Sequence, residues 1–169
     1  MKHLSFYRKQ VTLFSAVLMI SIAGLHAQER QDKKVRDSAI KNIIETKAYT
    51  FVAQTAQPMS GRIRQLTGTY QVDVNGDTVN ADLPYFGRAY TAPVDPAQGG
   101  IHFTSTQFDY VTTPKKKGGW TILIKPKENT DTRQMILDVS SSGFANLQVL
   151  SNNRQSISFA GYVTNRKRK

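Results

Sequence analysis

Apolar residues first recur at three- and four-residue spacing. Val35, Ala39, Ile40, Ile43 and Ile44 alternate with Lys33, Arg36, Asp37, Lys41 and Glu45, which predicts one amphipathic helix over 30–46 that docks by its Val/Ile stripe. At Tyr49 the period drops to two. Tyr49, Phe51 and Ala53 lie opposite Thr50, Val52 and Gln54, so strands begin there, and Pro58 and Gly61 end the first of them. Alternation resumes over 69–74 with Tyr70, Val72 and Val74, breaks at Asn75-Gly76, and returns at Asp77-Thr78-Val79. This is a hairpin, and Asn-Gly predicts a type I′ turn. Ile101 and Phe103 share one parity whereas Phe108 and Tyr110 have the other, so a bulge or tight bend is expected near 105–107. Four further strands follow. Their inward candidates are Trp120, Ile122 and Ile124; Met135, Leu137 and Val139; Ala145, Leu147 and Val149; and Ile157, Phe159 and Val163.

Short connections favour antiparallel neighbours. The pattern predicts an all-β chain with one N-terminal helix, in which a meander of about eight strands closes into a small lipocalin-like barrel. A sandwich is the alternative. The barrel is preferred because consecutive hairpins need no long crossover.

One stretch fits neither period. Leu83-Pro84-Tyr85-Phe86-Gly87-Arg88-Ala89-Tyr90 packs three aromatics, a proline, a glycine and a charge into eight residues. Pro84 lacks a backbone donor and Gly87 can take positive φ, so an irregular crossing that presents the rings in fixed directions is expected.

Composition adds a location. Lys2, Arg8 and Lys9 precede an uncharged, mostly apolar run over 11–22 that ends in small residues, the pattern of a secretory signal peptide with cleavage after Ala27. The run is short for a bilayer span of about 20 residues, so no transmembrane segment is expected in the mature chain. The domains expected are therefore a leader (1–27), one barrel-like domain with its helix (28–165) and a basic tail (166–169). The protein is read as exported, to the periplasm or beyond the outer membrane. It contains no cysteine, so neither a disulfide nor a lipid anchor on cysteine can form. Its formal net charge is +11, and removing the leader's three basic residues leaves +8. Arg166-Lys167-Arg168-Lys169 supplies half of that, and Lys115-Lys116-Lys117 forms a second group at an expected hairpin tip. Both are read as solvated, and no nucleic-acid partner is expected.

The residues Tyr49-Thr50-Phe51, Pro58, Gly76-Asp77, the crossing 83–90, Gly99-Gly100-Ile101, Lys116-Lys117-Gly118-Gly119-Trp120, Gly143-Phe144-Ala145 and Ile157-Ser158-Phe159-Ala160-Gly161 resemble a family of exported proteins from Bacteroides-type bacteria known as domain of unknown function 4251. The resemblance covers nearly the whole mature chain, and the crossing is its most specific part. It implies an exported single domain of a Gram-negative cell and brings no activity or site residue.

The titratable groups argue against catalysis. With the leader gone, His102 is the one histidine, too few for a His/Cys zinc site, and its strand context reads as surface. Asp73, Asp77, Asp82, Asp95, Asp109 and Asp138 leave paired-carboxylate chemistry formally open, but most fall in turns or at outward positions. No metal and no cofactor are called for. The expectation is a non-catalytic binding module for a small apolar or glycan-like ligand, with Tyr85, Phe86, Arg88, Tyr90 and Trp120 as ligand-binding candidates. The alternative is an envelope interaction protein that docks on a protein partner through sheet edges and the basic tail.

Overall fold

The structure is a computed structural model that describes residues 31, 34–90, 99–116, 118–128 and 131–166. The leader 1–27, Lys117 of the tip and residues 167–169 of the tail lie outside them. Residues 37–169 make up one compact unit; of the other, residues 31 and 34–36 are described and are helical.

Helix α1 (37–45) leads into nine strands: β1 (Ala48–Pro58), β2 (Arg64–Asn75), β3 (Thr78–Leu83), β4 (Ile101–Ser105), β5 (Phe108–Pro114), β6 (Trp120–Pro126), β7 (Thr132–Val139), β8 (Phe144–Ser151) and β9 (Ile157–Asn165). All neighbours are antiparallel, in the order β4-β3-β2-β1-β9-β8-β7-β6-β5. The two end strands, β4 and β5, are joined by Thr106-Gln107 alone, so the sheet curls until its ends meet in a nearly closed barrel.

Eight antiparallel steps separate β4 from β5, so they run the same way, and two residues cannot make a parallel crossover. They are two arms of one bent strand. The upper arm pairs with β3 and the lower with β6, and the bend falls at the parity slip read from the sequence. Glu128 fixes it. Its Oε1 accepts from the Thr106 amide (2.9 Å), the Gln107 amide (3.2 Å) and the Thr106 hydroxyl (3.1 Å). Hydrogen bonds from Ser105 and the Thr106 amide hold the Glu128 carboxyl below the usual range, so it is an anion where the bend needs an acceptor.

Every inward candidate of the last three strands is buried, and the interior is filled. Tyr49, Phe51, Phe159, Leu83, Ile122, Ile124, Met135, Leu137, Leu147 and Ile157 are all fully buried, which is a packed core rather than a ligand cavity. The Tyr49 hydroxyl lies 3.2 Å from the Tyr110 hydroxyl. Burial, with Tyr110 adding to it, raises the Tyr49 phenol well above its usual range and keeps it neutral.

Ile43 and Ile44 of α1 are buried, and Ile40 packs against the same core beside Gly143. The stripe within this unit is narrower than its spacing implied, because Ala39 is exposed. The hairpin forms as expected but its turn is displaced by one residue. Asn75 pairs with Thr78, leaving Gly76-Asp77 as the loop, and among these residues only Gly76 has positive φ (58°). That is the φ pattern of a type II′ turn rather than type I′. The Gly76 amide is also tied to the Lys47 carbonyl at 2.8 Å.

Candidate functional site

The aromatic crossing closes one end of the barrel. It leaves β3 at Leu83 and reaches the β8–β9 connection, where the Tyr90 amide donates to the Asn153 carbonyl (2.8 Å) and the Gln155 amide to the Arg88 carbonyl (3.0 Å). Ala89 and Arg154 form an antiparallel bridge. The Tyr85 hydroxyl lies 2.9 Å from both the Arg88 and the Gln155 carbonyl oxygens and shares its proton between them. Burial raises the Tyr85 phenol, against the opposing effect of Arg154, so it stays a donor. Gly87 is needed for space rather than for positive φ, since a Cβ there would stand 2.4 Å from the Tyr85 hydroxyl.

Two arginines cap the rings. The Arg154 guanidinium lies 5.3 Å from the centre of Tyr85, and that of Arg64 lies 4.8 Å from Phe86. Arg154 also pairs with Asp131 (3.1 Å) and donates to the carbonyls of Gly99 (3.2 Å) and Gly100 (2.7 Å). It therefore joins the β6–β7 connection, the entry to β4 and the crossing. Nothing in the sequence singles out either Arg154 or Asp131.

The five residues expected to bind ligand are not one constellation. Tyr85 and Phe86 are half-buried in the seal, whereas Arg88 and Tyr90 are exposed. Trp120 lies at the other end of the barrel. It pairs with Pro114, the last residue of the bent strand, whose first residue, Ile101, pairs with Leu83 beside the crossing. Strand direction and tilt separate them, which sequence alternation cannot reveal. Arg88 is exposed, and Asp82 pairs with His102, Nδ1 to Oδ1 2.8 Å. The other imidazole nitrogen packs on Gly100, where a Cβ would be 2.0 Å from Nε2, so it faces backbone rather than a nucleophile.

The described residues line two cavities on the outer wall. The larger, about 1140 Å³, has its floor on β1, β2, β3 and β9. Thr50, Val52 and Gln54 share that floor with Gln71, Asp73, Asp82 and Tyr162. A local misfit in pairing makes its side. Between Ala53↔Tyr70 and Thr55↔Gln65, β1 spends one residue where β2 spends four, so Leu66–Thr69 arches off the wall. Asp73 accepts from the Thr50 hydroxyl and from Gln71 Nε2 (2.9 Å). Arg166 also lines this cavity. The smaller, about 390 Å³, is lined by Gln54, Phe144, Asn146, Ala160 and the pair Lys115–Asp138 (2.5 Å). Burial works to raise the Asp138 carboxyl, but Lys115 and Thr121 prevail and hold it below the usual range.

This geometry defines a class: a small up-and-down β-barrel with a filled interior, sealed at one end by an aromatic crossing and grooved on its outer wall. The chain belongs to the family described as domain of unknown function (DUF4251), whose profile matches residues 31–163. It is similar in fold to a crystal structure of a DUF4251 family protein from Bacteroides eggerthii DSM 20697, with a TM-score of 0.57 over 78% of this chain and 88% of that one, at 15% identity. No curated protein matches it. Among the described residues no helix is long and apolar enough to cross a membrane.

Proposed function

We propose that the protein is an exported, non-catalytic binding module whose ligand sits on the outer wall rather than inside the barrel, and that the ligand is glycan-like rather than apolar. The larger groove carries this reading. Its floor offers hydroxyl, amide and carboxylate groups around one partly exposed aromatic ring, Tyr162 (38% exposed), and those are the groups a polyhydroxylated ligand needs for hydrogen bonds and for contact with its apolar ring face. An apolar ligand would cover the amide side chains of Gln54, Gln65 and Asn165, which also line the groove, without rewarding them.

A glycan array probed with residues 28–169 tests the reading. A subset of glycans should be retained, Tyr162→Ala should lose it, and Arg88→Ala and Tyr90→Ala, changes at exposed positions outside the groove, should keep it. Retention of no glycan overturns the proposal, and so does loss with Tyr90→Ala alone.

Export is part of the proposal and rests on the leader pattern of residues 2–27. Fractionation of cells should find the full chain outside the cytoplasm. The chain lacking 1–27 should be trapped inside yet folded, because no disulfide or lipid depends on export. Insoluble cytoplasmic protein beside soluble exported protein would contradict this.

A further inference from the structure

The two cavities share a wall residue, Gln54, and flank one cross-strand pair. Phe144 of β8 and Tyr162 of β9 are directly opposite each other on the outward face; Phe144 lines the smaller cavity and Tyr162 the larger. Phe144 is 69% exposed and stands beside Tyr162, so the two rings make one exposed apolar patch on the outer wall. Building on the glycan reading above, we propose that both cavities form one track for an extended, uncharged glycan chain that crosses the Phe144–Tyr162 pair.

Size argues for a chain. The larger groove alone, at about 1140 Å³, passes the roughly 300–1,000 Å³ that suits a single small ligand, and the smaller cavity extends it. From Asp82 on β3 to Asp138 on β7 the track spans five strand spacings, about 24 Å at roughly 4.8 Å each.

Charge argues for a neutral one. Asp73 is engaged by Thr50 and Gln71, Asp82 by His102 and Asp138 by Lys115, so the track's carboxylates already have partners and a cationic ligand would have to compete for them. Of the two basic residues that line the track, Lys115 is held in the same way, and one remaining cation, Arg166, gives little reward to a polyanion. Pairing argues against a peptide. β1, β3 and β9 are paired on both sides and β2 is paired with β3 over 71–75, so along this floor only the arch at 64–70 leaves a stretch of strand edge that an extended peptide could join.

Calorimetric titration of residues 28–169 with two oligomer series, β-1,4-linked glucose and β-1,4-linked N-acetylglucosamine of one to six units, tests the track. In at least one series affinity should climb with length, by about tenfold from dimer to hexamer, since tenfold is about 1.4 kcal/mol and lies within the range of one added aromatic contact. Phe144→Ala should remove that gain and leave dimer affinity unchanged, whereas Tyr162→Ala should weaken both. Melting temperatures of the two variants should match the parent, because both side chains are exposed. Equal affinity at every length would overturn the extended track and leave the binding-module reading standing. No saccharide bound at any length would overturn both, as would displacement of a bound saccharide by an unrelated extended peptide.

Discussion

Arg154→Met is expected to lower the unfolding free energy by about 2–4 kcal/mol, measured by urea denaturation. The range sits below the roughly 3–5 kcal/mol typical of breaking a fully buried pair because water still reaches Asp131, whose side chain is 28% exposed. Methionine keeps much of the aliphatic volume and removes the charge. What is lost is the partner of Asp131, the donor to the Gly99 and Gly100 carbonyls, and the cation over Tyr85. These groups belong to segments far apart in sequence, so the change should also loosen the crossing. Arg64→Met is the control. It removes a cation from Phe86 and should cost about 0.5–1 kcal/mol. Asp131→Asn combined with Arg154→Met should be less damaging than the sum of the two, since each alone strands the other. Additive effects, or equal losses at Arg64 and Arg154, would show that Arg154 does not organise this end.

The barrel was legible because one physical variable, burial, writes itself into the sequence with period two. Met135, Leu137 and Val139 or Ala145, Leu147 and Val149 cannot all be buried on any other element of that length. The bend at 105–107 was legible for the same reason: a parity slip has to be absorbed somewhere. What parity does not encode is which strand level faces which. Trp120 and Tyr85 both read as aromatics near strand ends, and only register and tilt show that the ends are opposite ones. The turn at Gly76-Asp77 missed by one residue because Asn-Gly describes a preference of the loop, whereas the pairing of Asn75 with Thr78 and the bond from Gly76 to Lys47 decide the frame.

The groove was hidden for a different reason. Thr50, Gln71 and Tyr162 occupy the outward half of an alternating pattern, where polar and amphipathic residues need no explanation. What makes that surface hollow is the excess of β2 over β1 between two paired positions, a difference between strands that neither carries alone. Glu128 and Arg154 were hidden likewise. Each is one charge in a connection, and its partners are chosen by the fold.

Gly161→Ala is expected to be among the most damaging single-methyl additions in the chain, costing about 3 kcal/mol, the upper part of the range for overpacking. A Cβ at this position would stand 1.9 Å from the Val52 carbonyl oxygen and 3.1 Å from the Ala53 Cα. Both neighbours are backbone, so no rotamer change can relieve the contact. They are also held, because β1 pairs with β2 on its other side, and the pairing with both neighbours shifts between Ala53 and Thr55. The added methyl must therefore push β1 from β9, the pair through which the first and last strands join the ring. Gly68→Ala provides the comparison. Its Cβ would meet the Tyr70 ring at 3.0 Å, a side chain on the arch that can shift, so a loss well under half as large is expected. Thermal unfolding of the two variants decides: if Gly161→Ala melts with the parent, β1 and β9 are not as tightly apposed as described, and the register shift at Ala53 cannot be what demands glycine.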